Sequence, residues 1–142
     1  MEIPAYDPQN IFAKILRGEA PAHKVYEDAE TFAFMDIMPM AEGHTLVIPR
    51  EPAVTLFDLS AAAAQALIGT THKVAHAVRA AFRPHGVILA QLSGAPAGQT
   101  VFHIHFHIVP RWEGTEMNMH ARKMAPQETL ADHAARIREH LD

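Results

Sequence analysis

The sequence predicts an α+β fold, with a mostly antiparallel sheet, one long helix and shorter terminal helices. Several short apolar or alternating runs are bounded by turn residues, which is typical of strands. The alanine-rich segment from Ser60 to Phe82 indicates a helix long enough to cross a small domain. The 142 residues contain no repeat, low-complexity segment or charged linker, so we expect a single domain over residues 1–142.

The N-terminal part of the chain predicts one helix followed by three strands. Residues 8–17 place four apolar side chains on one helical face, and Gly18 follows where a glycine commonly ends a helix. Residues 23–27 and 31–36 indicate a hairpin across a polar turn. Residues 44–49, which follow a loop, indicate a short buried strand.

The second half predicts two helices with two strands between them. Ser60 is suited to cap the long helix, which the segment 84–86 (Pro-His-Gly) ends. A last helix begins near Pro126 and runs to about residue 141. Between these helices lie a strand at 87–92, a glycine-rich loop at 93–99, and a strand at 101–109 that ends before Pro110.

Composition limits the partners that we expect. The net charge of −4 argues against a broad nucleic-acid surface, which needs a clustered basic face. The absence of cysteine excludes disulfides, thiolate metal ligands and cysteine nucleophiles. The chain has neither a leader-like N-terminus nor an apolar stretch of membrane-spanning length. We therefore expect a cytoplasmic protein that binds neither nucleic acid nor membrane.

Three histidines alternate along the strand predicted at 101–109. Because side chains alternate between the two faces of a strand, His103, His105 and His107 share one face and the apolar residues share the other. Three neighbouring imidazoles cost desolvation energy unless each has a partner, so packing alone does not explain them. The pattern predicts a functional site.

Two kinds of chemistry fit three such imidazoles. They could hold a metal ion, or one neutral ring could attack phosphorus as a nucleophile that needs no prior deprotonation. The preceding loop, residues 94–100, has two glycines and the polar side chains of Gln99 and Thr100. Such a loop can bring hydrogen-bond donors close to an anion, which favours phosphoryl chemistry over metal binding.

The segment GQTVFHIHFHIVPR, residues 98–111, resembles the signature of the histidine-triad (HIT) superfamily of nucleotide-binding hydrolases. The resemblance extends over about residues 10–112 and leaves residues 113–142 as a C-terminal tail and helix. It implies that His105 is the nucleophile, that His107 contacts the substrate phosphate, and that the backbone of His103 orients the nucleophilic ring. It also implies that Gln99 and Thr100 bind phosphate.

Two further segments carry the resemblance toward the nucleoside. Residues 34–37 match a hairpin whose apolar side chains, here Phe34 and Ile37, sandwich the base, and whose aspartate, Asp36, binds the ribose hydroxyls. His44, in a Gly-His strand, is expected to approach the scissile phosphate. Taken without the resemblance, Phe34 and Ile37 would fit a core, Asp36 a turn, and His44 a strand end.

The sequence departs from the family pattern at two places. Many bacterial relatives bind a structural zinc through two cysteines, a downstream histidine and the first triad histidine, but here the three outer positions hold Asn10, Ala13 and Pro52. We therefore expect no structural zinc. An amide that is common eleven residues before the triad is replaced by Leu92, and either Gln91 or Ser93 could supply its polar contact.

The main hypothesis is a hydrolase that cleaves a nucleoside phosphoramidate or a dinucleoside polyphosphate through a nucleotidyl-histidine intermediate. The resemblance implies a purine nucleotide substrate, no cofactor, and a homodimer. Two alternatives stay open: a nucleotide-binding regulator with little turnover, and a metal-binding protein that uses the three histidines as ligands.

Overall fold

The computed structural model describes residues 1–116 and 123–141, and it confirms the α+β fold class. Five strands form one antiparallel sheet in the order β1-β2-β3-β5-β4. The strands are β1 (Lys24–Glu27), β2 (Thr31–Met35), β3 (Thr45–Pro49), β4 (Gly86–Gln91) and β5 (Phe106–Arg111). The α-helices are α1 (Ile11–Leu16), α2 (Ala61–Phe82) and α3 (Gln127–Arg138), and short 3₁₀ turns lie at Leu56–Asp58 and Ala95–Ala97.

Capping residues set the bounds of the first two helices. Asn10 Oδ1 accepts a hydrogen bond from Ala13 N at 2.9 Å, so α1 begins later than the predicted residue 8. Gly18 follows the helix with a φ of +77°, as a C-terminal glycine should. Ser60 Oγ accepts from Ala63 N at 3.1 Å and caps α2, which confirms the predicted start of the long helix.

The two faces of the sheet carry two separate clusters of apolar side chains. Along β2, Ala33 and Met35 belong to the large cluster beneath α2 and α3. Phe32 and Phe34 point the other way and join a smaller cluster with Phe12 of α1. This alternation follows from the two-residue period of a strand. The candidate site lies on the α1 face.

The triad segment differs from the predicted strand at 101–109. The strand β5 begins only at Phe106 and continues through Pro110 to Arg111. Its pairing with β3 covers Phe106 to Ile108, and residues 101–105 are not paired with a strand. Pro110 is accommodated because β3 no longer flanks the strand at that point.

Strand β4 forms one edge of the sheet and pairs only with β5 among the described strands. Its apolar side chains Val87, Ile88 and Leu89 are exposed. No helix within the described residues combines the length and the apolar character needed to cross a membrane. The last helix is shorter than predicted and ends at Arg138, and part of the predicted tail, 117–122, lies outside the described residues.

Candidate active site

A cavity of about 390 Å³ opens on the α1 face of the sheet, next to the triad segment. Its walls come from α1, the turn after it, the end of β2 with the following loop, and residues 100–107. Most of its lining is apolar, and its polar side chains are Asp36, Thr100, His105 and His107. An apolar cavity with a few convergent polar groups is typical of a small-molecule site.

His103 is fully buried behind the cavity and has a partner at each ring nitrogen. Its Nε2 lies 2.8 Å from the Pro49 carbonyl oxygen, which can only accept, so Nε2 carries the proton. Its Nδ1 lies 2.6 Å from the Tyr6 hydroxyl. Burial lowers the pKa of His103 to about 4. The hydrogen bond to Pro49 acts to raise this pKa, and a smaller repulsion from His105 acts to lower it. The ring is therefore neutral at pH 7.

His105 lies in the cavity wall with a fixed orientation. Its Nδ1 lies 2.7 Å from the backbone oxygen of His103 and must donate to it, so the lone pair of the neutral ring is on Nε2. Burial lowers the pKa of His105, although the hydrogen bond to His103 opposes that shift. The Phe12 ring meets the imidazole edge to face at 4.9 Å. His105 thus offers an unprotonated nitrogen at neutral pH.

A second pair of histidines forms a hydrogen-bonded chain that begins at a backbone amide. The N–H of Met40 donates to Nδ1 of His44 at 3.0 Å, so the proton of that ring is on Nε2. His44 Nε2 lies 2.9 Å from Nδ1 of His107 and donates to it. The remaining proton of His107 is therefore on its Nε2, which makes that nitrogen a donor.

His44 is completely buried, and its Nε2 also lies 3.5 Å from Asp36 Oδ2. The sequence placed it near the scissile phosphate. In the structure His44 does not line this cavity but contacts His107, which does. The approach of His44 to a phosphate stays a prediction. His107 and His105 both line the cavity, and their ring centroids are 4.9 Å apart.

The residues predicted to hold the nucleoside also line the cavity, and Asp36 lies close to His44 and His107, with the possible ligand atoms of the three residues within 4.8 Å of one another. Phe34 and Ile37 both line it; Phe34 is buried against Phe12, whereas Ile37 is half exposed. Asp36 also lines the cavity, and its Oδ1 accepts from Met38 N at 2.9 Å. Asp36 thus stabilises its own turn while it faces the cavity, so a role in the turn is compatible with the predicted contact to a ribose.

The two polar residues of the loop before the triad lie in different surroundings. Thr100 lines the cavity and is exposed. Gln99 is buried: its Nε2 donates to the carbonyls of Val54 (2.6 Å) and Val101 (3.1 Å). Its Oε1 accepts from Gly94 N at 2.8 Å. Both amide protons are engaged inside the protein, so the side chain stabilises the loop, and its predicted contact with a phosphate stays a prediction.

The positions around Leu92 also turn away from the cavity. Ser93 Oγ donates to Gln91 Oε1 at 3.0 Å and accepts from Leu56 N at 3.2 Å. Among the residues that the structure describes as lining the cavity, neither Gln91 nor Ser93 occurs. Neither one replaces the missing amide in this arrangement.

Sequence reasoning missed two aromatic residues of the site. It assigned Phe12 to an amphipathic helix face but not to the cavity wall beside the His105 ring. It gave no role to Tyr6, whose contact with His103 spans 97 residues. The apolar face of α1 was a usable signal for Phe12, whereas no local pattern points to Tyr6.

The residues present do not fit the structural zinc of bacterial relatives. Asn10 uses its side chain to cap α1 and to donate to Asp7 O at 2.7 Å. Ala13 and Pro52 have no ligand atom, and both ring nitrogens of His103 are already hydrogen-bonded. This part of the chain is held together by hydrogen bonds and packing in place of a ligand set for zinc.

The fold and the site together define a small α+β protein with a histidine-lined cavity, and comparisons identify its family. A model of the HIT domain matches residues 17–114, and the chain belongs to the HIT domain family. Protein hit of Bacillus subtilis (strain 168) is 37% identical over 123 residues, covering 83% of this chain and 85% of that protein.

Two other relatives bear on fold and activity. The crystal structure of a HIT-like protein from Bartonella henselae, which contains an unknown ligand, matches with a TM-score of 0.90 at 45% identity. The match covers 96% of this chain and 100% of that one. Adenylylsulfatase HINT3 of Arabidopsis thaliana is 31% identical over 137 residues, covering 92% of this chain and 68% of that protein. The family thus includes hydrolases.

Proposed function

We propose that the protein hydrolyses a nucleoside phosphoramidate or a dinucleoside polyphosphate through a nucleotidyl intermediate on His105. The hydrogen bond from His105 Nδ1 to the His103 carbonyl is the observation that carries this proposal. It leaves the Nε2 lone pair available in the wall of a cavity large enough for part of a nucleotide. A neutral imidazole in this state attacks phosphorus without a separate base.

The first half-reaction transfers the nucleotidyl group to the protein. The Nε2 lone pair of His105 forms a bond to the α-phosphorus while the bond to the leaving group breaks, and the leaving group takes that electron pair. A phosphate leaves as an anion, and an amine leaves after it has taken up a proton. The ring becomes cationic, and the carbonyl oxygen of His103 stabilises it through Nδ1–H.

The second half-reaction releases the nucleoside monophosphate. Water forms the new phosphorus–oxygen bond and loses a proton to solvent, while the phosphorus–nitrogen bond breaks and its electron pair returns to Nε2 of His105. His107 Nε2–H and Thr100 supply hydrogen-bond donors to the phosphate oxygens. His44 holds His107 in the donor tautomer through their 2.9 Å hydrogen bond.

The nucleoside lies against the apolar wall of the cavity in this proposal. Phe34 and Ile37 offer apolar contacts for a base, and a purine uses more of that surface than a pyrimidine does. The Asp36 carboxylate accepts hydrogen bonds from ribose hydroxyls. Adenosine compounds are the first substrates to test, and adenylyl sulfate joins them because one relative is an adenylylsulfatase.

The alternative of a metal site formed by all three triad histidines has little support. Both nitrogens of His103 and one nitrogen of His105 are already hydrogen-bonded. Within the described residues, a different set, Asp36, His44 and His107, brings donor atoms within 4.8 Å of one another. In that set, His44 Nε2 and His107 Nδ1 are already hydrogen-bonded to each other. A metal ion bound to these two nitrogens would have to displace that hydrogen bond.

The experiment that tests the proposal is rapid-quench trapping of a labelled protein adduct, with an alkaline denaturant as the quench. The protein is mixed with adenosine 5′-phosphoramidate or diadenosine polyphosphate that carries a label at the α-phosphorus, and each reaction is quenched within its first turnovers. We expect label on the protein, and mass spectrometry should map the adenylyl group to His105. Phosphoramidates are acid-labile, so the adduct is digested and mapped at alkaline pH.

Two further measurements separate the alternatives. A regulator with little turnover would bind AMP without forming an adduct or releasing product. A metal-dependent protein would lose activity after chelation and regain it with zinc. Turnover that survives chelation, together with an adduct on His105, supports the proposal; label on another residue or turnover without any adduct contradicts it.

We also propose that the protein is a homodimer that pairs through the exposed face formed by β4 and α2. The open edge of β4 can accept another strand, and Val87 and Leu89 line a groove of about 300 Å³ with Ile68 of α2. An exposed apolar surface beside an open sheet edge is typical of a protein–protein contact.

Replacing Leu89 by glutamate should convert the dimer into a monomer. A buried unpaired carboxylate in the contact should weaken dimerisation by about 100-fold or more. Size-exclusion chromatography with light scattering across a concentration series measures this. Phe57→Glu is the matched control, because Phe57 is 70% exposed but lies outside the groove. Equal dimer stability in both variants would exclude β4 from the contact.

A further inference from the structure

The structure assigns Tyr6 as a positioning residue for the nucleophile His105, acting through His103. This inference rests on the proposed function of His105. Among residues 1–9, only Tyr6 is partly buried, while the others are exposed. Its hydroxyl lies 2.6 Å from His103 Nδ1, and the two rings meet edge to face at 5.6 Å. A segment without helix or strand is thus fixed to the site at one point.

The direction of this hydrogen bond follows from the other contact of His103. The carbonyl of Pro49 can only accept, so His103 Nε2 carries the proton. A fully buried imidazole without an acidic partner is costly to charge, so the ring keeps that single proton. His103 Nδ1 is therefore an acceptor, and the Tyr6 hydroxyl is its donor.

The ring of His103 needs this anchor because its backbone is not part of the sheet. Residues 101–105 precede β5 and have no strand pairing. The hydrogen bonds that tie this stretch to other parts of the chain include Ile104 N to Ala53 O at 2.9 Å, Gln99 Nε2 to Val101 O, and the two ring contacts of His103. Tyr6 therefore supplies one of the hydrogen bonds that fix this stretch in place.

The position of His103 matters because its backbone oxygen sets the orientation of the nucleophile. His105 Nδ1 donates to that oxygen at 2.7 Å. If the His103 ring loses the Tyr6 donor, its Nδ1 becomes a buried acceptor without a partner, and the ring can turn or change tautomer to recover one. The carbonyl then shifts, and His105 no longer presents Nε2 to phosphorus in a single geometry.

Tyr6→Phe is the test, because it removes the hydroxyl and keeps the ring against His103. Tyr6 does not line the cavity, so the dissociation constant for AMP should stay within about twofold, and the single-turnover rate of adenylylation by adenosine 5′-phosphoramidate should fall by about tenfold or more. Tyr26→Phe is the matched control. The Tyr26 hydroxyl is also hydrogen-bonded, to Asp28 at 3.0 Å, but lies outside the site.

A measurement independent of turnover separates this inference from the proposed function. Nitrogen-15 shifts of the histidine rings report which nitrogen carries the proton. In the wild type we expect the proton on Nε2 of His103 and on Nδ1 of His105. In Tyr6→Phe we expect altered nitrogen shifts for His103 and a mixture of the two tautomers for His105. Should the wild type show no adenylylation, the proposed function fails while these shifts still decide the role of Tyr6.

Each outcome settles the assignment. Altered ring shifts in Tyr6→Phe with unchanged shifts in Tyr26→Phe support it, as does a loss of rate without a loss of AMP binding. If Tyr6→Phe keeps the wild-type shifts of both histidines, or if its rate equals that of Tyr26→Phe, Tyr6 does not position the nucleophile.

Discussion

Replacing His105 by asparagine should reduce hydrolysis of adenosine 5′-phosphoramidate by at least about 10⁴-fold, the order of loss that follows removal of a nucleophile. Asparagine keeps an N–H close to the position of Nδ1, so the hydrogen bond to the His103 carbonyl can persist. It lacks the lone pair that His105 Nε2 directs into the cavity. The residual rate then reflects positioning and charge stabilisation by the remaining residues alone.

Steady-state kinetics and AMP binding by calorimetry check this result together. Binding should stay within about threefold, because the apolar wall of the cavity is unchanged and supplies most of the contact. His140→Asn, at an exposed position outside the site, is the control for histidine replacement itself. A His105→Asn protein that turns over within tenfold of the control would rule out the covalent route.

Two hydrogen-bonded arrangements orient the histidines of the candidate site. One chain runs from the Met40 amide through His44 to His107 and fixes a donor at His107 Nε2. The other ends at His105 and fixes an acceptor at its Nε2. Because both rings line the same cavity, the protein presents a hydrogen-bond acceptor on His105 and a hydrogen-bond donor on His107 side by side.

The sequence pattern within a few residues was enough to predict several helices and strands. The alanine-rich helix with its Ser60 cap, the hairpin of β1 and β2, and the buried β3 were all predictable, because propensity, capping and periodicity act within a few residues. The alternation of histidines also predicted that His105 and His107 lie side by side, which the structure shows.

Features that depend on distant parts of the chain could not be predicted in this way. The start of β5 at Phe106 reflects pairing that reaches only Val47, although β3 itself continues to Pro49, and the alternation of residue types continues on both sides of Phe106. The Gln99 side chain points into the protein because of the loop conformation before it. In that loop Gly94 and Gly98 have φ values of +99° and +106°, which other residues rarely adopt. The role of Tyr6 depends on a contact 97 residues away.

Acid should destabilise the protein well above the pH at which its carboxylates titrate. Burial lowers the pKa of His103 from 6.5 to about 4, so between these values the unfolded chain binds a proton that the folded protein does not. Stability then rises with pH across this window and is lost as pH falls from about 6.5 toward 4, by about 3 kcal/mol for His103 alone. Burial of His105 acts in the same direction.

Urea unfolding at fixed protein concentration, between about pH 7 and pH 4.5, measures this loss. The lower limit avoids the carboxyls of Asp28 and Asp58: burial acts to raise their pKa values, but hydrogen bonds outweigh it and lower them. His103→Asn should be less stable than the wild type at neutral pH. Between about pH 7 and pH 4.5, however, its free energy of unfolding should fall by about 2 kcal/mol less than that of the wild type. The pH dependence of the unfolding free energy does not include the constant cost of the substitution itself. If this free energy changes with pH in the same way for His103→Asn and the wild type, a group other than His103 is responsible.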